Sequence, residues 1–193
     1  MWRHYRHILN SSSIFSAIAI AFFVMSIPSI AYADVCVWRN PERTMTKIFP
    51  DAGDYKTITK IISEEKRKTI EERLGEQLAA GESKDWIYYE ITGKRGETLG
   101  YITADAEKGE YGVIEIVMGI FPNGKMKEIY IQRSSEKDKE FKSKEFLKQF
   151  IGKTIKDPIQ AGLDIKTEKV TTAIKAVILG VRKMLIFYEE LGK

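Results

Sequence analysis

The chain reads as an α+β domain, a mainly antiparallel sheet packed by helices and ended by a long C-terminal helix. Three observations predict it. The segment between residues 86 and 132 carries four aromatic and β-branched runs separated by Gly- and Asn-containing turns. Helical patterns flank that segment on both sides. The last stretch repeats apolar residues at three- and four-residue steps from Ile174 to Tyr188. Helices, then hairpin-joined strands, then helices describe one α+β unit, placed at residues 34–193.

The first 33 residues read as an export signal. Arg3 and Arg6 make a positive start, and Ile14 to Met25 form a short apolar core. Pro28 breaks it ahead of the small-x-small site Ala31-Tyr32-Ala33. That core is shorter than the roughly 20 residues a spanning helix needs. Cleavage after Ala33 and retention as an anchor are both open. The expected location is therefore outside the cytoplasm, periplasmic or on the outer face of the cytoplasmic membrane.

Removing this segment changes the chemistry on offer. Both histidines, His4 and His7, lie within it, and Cys36 is the only cysteine. A Ser-His-Asp triad, a Cys-His pair, a Cys/His zinc site, a haem-attachment CxxCH and an internal disulfide are all excluded from the remainder. The 31 basic residues, less the two arginines of the leader, face 27 acidic ones. Opposite charges are interleaved, so no basic excess of the kind that binds nucleic acid is present. Chemistry here requires carboxylates, lysines or a bound cofactor.

Taken in order, Pro41 to Phe49 predicts a short helix with Asn40 as cap and Pro41 in its first turn. Pro50 to Gly53 is a turn. Tyr55, Ile58, Ile61 and Ile62 recur at helical spacing, and Ser63 then caps a charged helix to about Leu78. Gly81 to Asp85 is a loop. Strands follow over Trp86–Thr92, Leu99–Thr103, Val113–Phe121 and Met126–Gln132, the third apolar enough to lie inside the sheet. Glu140 to Phe150 predicts a helix with Phe141, Phe146, Leu147 and Phe150 inward. Glu136, just before it, reads as solvated. In the terminal helix Lys175, Arg182 and Lys183 fall off the apolar face, and Thr171 or Thr172 stands at the N-cap position. Those adjacent hydroxyls admit two readings. They cap the helix, or they sit beside a phosphate drawn to its free N–H groups and dipole.

The second reading gains from a resemblance spread over Ile48 to Val177. Six segments appear in order: Ile48-Phe49-Pro50-Asp51-Ala52, Gly96 to Tyr101, Tyr111 to Ile114, Val117 to Ile120, Asn123 to Met126, and Phe146 to Lys153. Together they resemble the FMN-binding domain of the flavin-carrying extracytoplasmic subunits of Rnf and Nqr electron-transport complexes. In that family a closing motif D-x-x-S/T-G-A-T-x-S/T-x-x-A-V carries FMN on its threonine through a phosphoester. Aligned on Ala176-Val177, that threonine falls on Thr171, with one residue inserted after Asp164 and with Glu168, Lys169 and Val170 where Ser, Gly and Ala stand. Ser135 to Lys139 replaces the family's E-T-P-G-L-G loop.

The resemblance implies an FMN site formed by Thr171, Thr172, Lys169 and Thr167, with attachment covalent or not. It also implies a redox protein or membrane electron-transport complex as partner, and a flavin transferase if the bond is covalent. Trp86, Tyr88, Tyr89 and Tyr101 offer either a stacking face for the ring or sheet core. The role would be electron carrier rather than substrate-specific enzyme. The other reading is a cofactor-free relative of the same domain, an interaction or assembly module of the cell envelope.

Overall fold

In the computed structural model the described residues are 41–192, and they belong to one compact unit. The predicted leader, Asn40 and Cys36 lie outside them. Five strands form a single antiparallel meander, β1 (Ala52–Ile61), β2 (Asp85–Gly93), β3 (Thr98–Lys108), β4 (Val113–Ile120) and β5 (Met126–Arg133), in the order of the chain. Helix α1 (Pro41–Ile48) precedes the sheet, α2 (Glu64–Leu74) joins β1 to β2, and α3 (Lys144–Leu147) and α4 (Thr172–Leu191) follow it. This is the expected α+β class, with the long helix closing the chain. Among the described residues no helix is long and apolar enough to cross a membrane.

The segment at 55–62 differs from its helical reading. Tyr55 and Ile58 are three residues apart, which puts them on one helix face but on opposite faces of a strand. The structure uses the strand: Tyr55 packs with the cluster under α1, and Ile58 with the cluster under α4. Pairing over the length of β2, from Asp54↔Thr92 to Ile61↔Asp85, decides between the two periods. Helix α2 stops at Leu74 rather than near Leu78, because Gly75 turns the chain at φ 81° and its N–H bonds the Glu71 carbonyl. Ser63 caps the other end through Lys66 N, as predicted.

Both faces of the sheet are covered. On one, Met45, Ile48 and Phe49 press onto Ile91, Ile102 and Val117. Ile48 and Phe49 approach so closely that Gly119 and Gly100 have no room for a side chain. On the other face, α2, α4 and residues 140–150 bury a larger core including Ile114, Ile116, Met118 and Ile120 of β4. That strand lies between β3 and β5, so its continuous apolar run serves both layers. Residues 140–150 form a broken unit rather than one helix: 3₁₀ turns at Glu140–Lys142 and Lys148–Phe150 flank α3, and Ser143 recaps the chain through Phe146 N at 3.1 Å. The four predicted inward residues are all buried.

The sheet aromatics are core. Trp86 stacks on Tyr88 at 4.4 Å between ring centroids and donates its indole N–H to Thr103 Oγ1 at 3.0 Å. Phe187 and Tyr188, near the end of α4, pack on Trp86 and Tyr101. Tyr89 faces the opposite layer, against Tyr55. Glu136 is also buried, at 8 % exposure, where its carboxylate accepts Tyr111 N–H at 2.7 Å and braces the turn after β3. Its apparent polarity on sequence concealed this backbone partner, 25 positions away.

Candidate functional site

Helix α4 begins at Thr172, and Thr171 is its N-cap, in extended geometry at φ −86°, ψ 167°. The ambiguity between the two threonines is thereby resolved. Thr171 Oγ1 accepts the Ile174 N–H at 3.3 Å, and the hydroxyl donates to Asp138 Oδ2 at 2.8 Å. The second oxygen of Asp138 accepts Glu140 N–H at 2.8 Å. A carboxylate therefore stands at the positive end of the longest helix, bridged to it by the capping hydroxyl, where the dipole stabilises negative charge. Thr171 is half-buried and Thr172 exposed.

The other predicted residues are arranged around this pair without joining it. Lys169 is exposed, and its backbone carbonyl accepts the Thr167 hydroxyl at 3.0 Å. Val170 is 42 % exposed. The approach to α4 is stitched to the preceding unit by side chains. Gln149 takes both the N–H and the carbonyl of Lys166, at 2.8 and 2.9 Å, and Glu140 Oε1 accepts Glu168 N–H at 2.8 Å. These contacts leave an open groove of about 680 Å³, lined by Phe146, Gln149 and Thr167 among others, in which Lys139 and Lys166 face Glu140, Glu145 and Glu168. Thr167 lines it; Thr171, Thr172 and Lys169 do not.

Asp138 was not visible in the sequence as a site residue. It lies between β5 and the 3₁₀ turn at Glu140, 33 positions before Thr171. The only local signal was an acidic residue two places ahead of a helical start, a pattern that closes on its own backbone as often as on a ligand.

The site's donor set bears on a flavin in two ways. The volume of the groove lies within the range of small-molecule sites, but the half-buried Thr171 hydroxyl, bonded to a carboxylate, is not part of its lining. A free phosphate at the helix start meets Asp138, a like charge already in that seat. A phosphate esterified to Thr171 would meet the same carboxylate and remove the hydroxyl proton it accepts, so only the covalent bond itself could offset that repulsion. Nor do Trp86, Tyr88 and Tyr101 attend this site. Their α4 partner, Tyr188, is 17 positions along the helix from Thr171, on the order of 25 Å.

Among the described residues no group of three His, Cys, Asp or Glu side chains is placed to hold a metal ion. The chain matches no model of a known protein family, and no curated protein is significantly similar to it.

Proposed function

We propose that this protein is an exported electron carrier whose FMN is attached to Thr171. The observation that carries the reading is the 2.8 Å hydrogen bond from the Thr171 hydroxyl to Asp138 at the start of α4. The motif resemblance over Ile48 to Val177 supports it independently. Asp138 would accept the hydroxyl proton as Thr171 Oγ1 forms its bond to phosphorus, while the pyrophosphate bond of a flavin dinucleotide donor breaks and the nucleoside monophosphate leaves. The rigid α4, buried along most of its length, fixes the attachment point. Lys139 and Lys166 bring positive charge to a groove that Thr167 also lines, alongside Glu140, Glu145 and Glu168. Flavin itself supplies one- and two-electron transfer, which suits a domain without histidine. Tethering replaces affinity with effective concentration where free FMN is scarce. The partner is a redox protein or a membrane electron-transport complex.

A second reading is favoured by the same carboxylate. Asp138 already satisfies the α4 start, and Lys169-Val170 stand where the family has small residues, so a cofactor-free module for interaction or assembly is also self-consistent. One experiment separates them: produce the exported protein with a flavin transferase, precipitate it in acid and follow the yellow fluorescence. Fluorescence that stays with the polypeptide and disappears in Thr171→Ala but not in Thr172→Ala supports the tethered carrier. Flavin released to the supernatant refutes the tether. A colourless native protein leaves the cofactor-free module.

A further inference from the structure

Beneath the far half of α4 lies a second polar cluster with no part in the site above. Lys183, read from sequence as lying off the apolar face, is buried there with its side chain 5 % exposed. Its ammonium meets Glu82 Oε1 and Glu107 Oε1 at 2.7 Å and Asp105 Oδ2 at 3.2 Å. Asp105 and Glu107 are successive inward residues of β3. Glu82 belongs to the connection between α2 and β2, and its other oxygen accepts Ala79 N–H at 3.2 Å. That carboxylate thus ties the connection both to itself and to the core.

The hydrogen bonds are unequally shared. Lys183 donates to Glu82 Oε1 and to Asp105 Oδ1. Glu107 Oε1 and Asp105 Oδ2 are buried and meet the same ammonium at 2.7 and 3.2 Å without well-formed hydrogen bonds. Three carboxylates around one ammonium leave an excess of buried negative charge, which calls for an explanation. Among the described residues no other cation pairs with either carboxylate. Arg182 of α4 is turned to the carbonyls of Arg73 and Leu74. Glu71 of α2 is taken by Arg67 and Leu78 N–H, and Glu115 of β4 pairs with Arg133 on the opposite face of the sheet. Gly180 presses its backbone onto Asp105, Glu107 and Ile116, leaving no space for a side chain.

We propose that Asp105 and Glu107 share a proton beneath α4, and that this proton latches the connection between α2 and β2. With the proton in place, Lys183 faces two carboxylates and holds Glu82. Without it, a third buried anion competes for the same ammonium. Glu82, the most exposed member with 28 % of its side chain accessible, is the one that can recover hydration by leaving. Burial, reinforced by the negative Asp105, raises the Glu107 carboxyl to about 8 against the pull of Lys183. The latch therefore opens on the alkaline side of neutrality.

Two measurements on the full chain test this. Carbon-13 NMR of the glutamate side chains should show one carboxyl, assigned to Glu107 by its absence in Glu107→Gln, titrating near pH 8. Hydrogen exchange of peptides covering residues 75–84, corrected for the intrinsic pH effect, should lose about tenfold of its protection between pH 7 and pH 9, following the ionised fraction of the carboxyl. Glu107→Gln, which cannot ionise, should keep its protection over that interval. A Glu107 carboxyl that titrates with the ordinary acids below pH 5.5 overturns the shared proton. Titration near pH 8 with unchanged protection at 75–84 overturns the latch.

Discussion

Replacing Lys183 with Met tests how strongly this buried cluster depends on its single cation. The substitution keeps the unbranched side chain, one atom shorter, and removes the charge, leaving Asp105 and Glu107 facing an apolar helix. Glu107 already favours its protonated form at neutral pH. The new cost is therefore chiefly that of keeping Asp105 neutral. Holding an aspartic acid protonated at pH 7 against an unfolded value near 3.9 costs about 4 kcal/mol, at 1.36 kcal/mol per pH unit. An independent route agrees: removing one partner of a buried ion pair costs roughly 3–5 kcal/mol. With a urea slope of about 2 kcal/mol/M, the midpoint should fall by about 2 M. The loss should shrink to about 1 kcal/mol near pH 4.5, because unfolded carboxyls then carry protons as well. A loss below about 1 kcal/mol at pH 7, or a loss that does not shrink in acid, would refute the reasoning.

The wild-type protein should show a related trend. Because the folded value of Glu107 is raised from 4.5 to about 8, its contribution to stability is fully present below pH 4.5 and is lost as pH rises through 8. The decrease is at most about 5 kcal/mol, measurable by urea unfolding at a series of pH values and absent in Glu107→Gln. Thr171→Ala, prepared without flavin, should lose about 1 kcal/mol as α4 loses its cap, whereas Thr171→Ser should stay within a few tenths; thermal unfolding distinguishes them. Thr103→Val leaves the buried Trp86 indole N–H without its acceptor and should cost about 1–3 kcal/mol, with a change in the near-ultraviolet circular dichroism of Trp86.

What the sequence determined by itself was the class of fold and most of the local punctuation. Strands β2 to β5 were legible because their aromatic and β-branched runs are bounded by turn residues, and a period of two follows from backbone geometry alone. Ser63 was legible as a cap, and Thr171 as one of two adjacent candidates, because a hydroxyl three residues ahead of an N–H is a local arrangement. The 55–62 segment was not, since its spacing satisfies both periods and only pairing with β2 selects the strand. Residues 140–150 showed which side chains turn inward, and not that Ser143 divides them.

The polar interior was decided by the tertiary structure. Lys183 meets Glu82 and Asp105 across 101 and 78 positions of chain, and Thr171 meets Asp138 across 33. A helical wheel assigns a lysine to solvent because water is the default partner of an ammonium; carboxylates on β3 and on the loop before β2 replace that water once the helix is laid on the sheet. Local rules set period, caps and turns through contacts a few residues apart. Which charges are buried together depends on chain closure over tens of residues, and that is fixed only when the sheet and α4 pack.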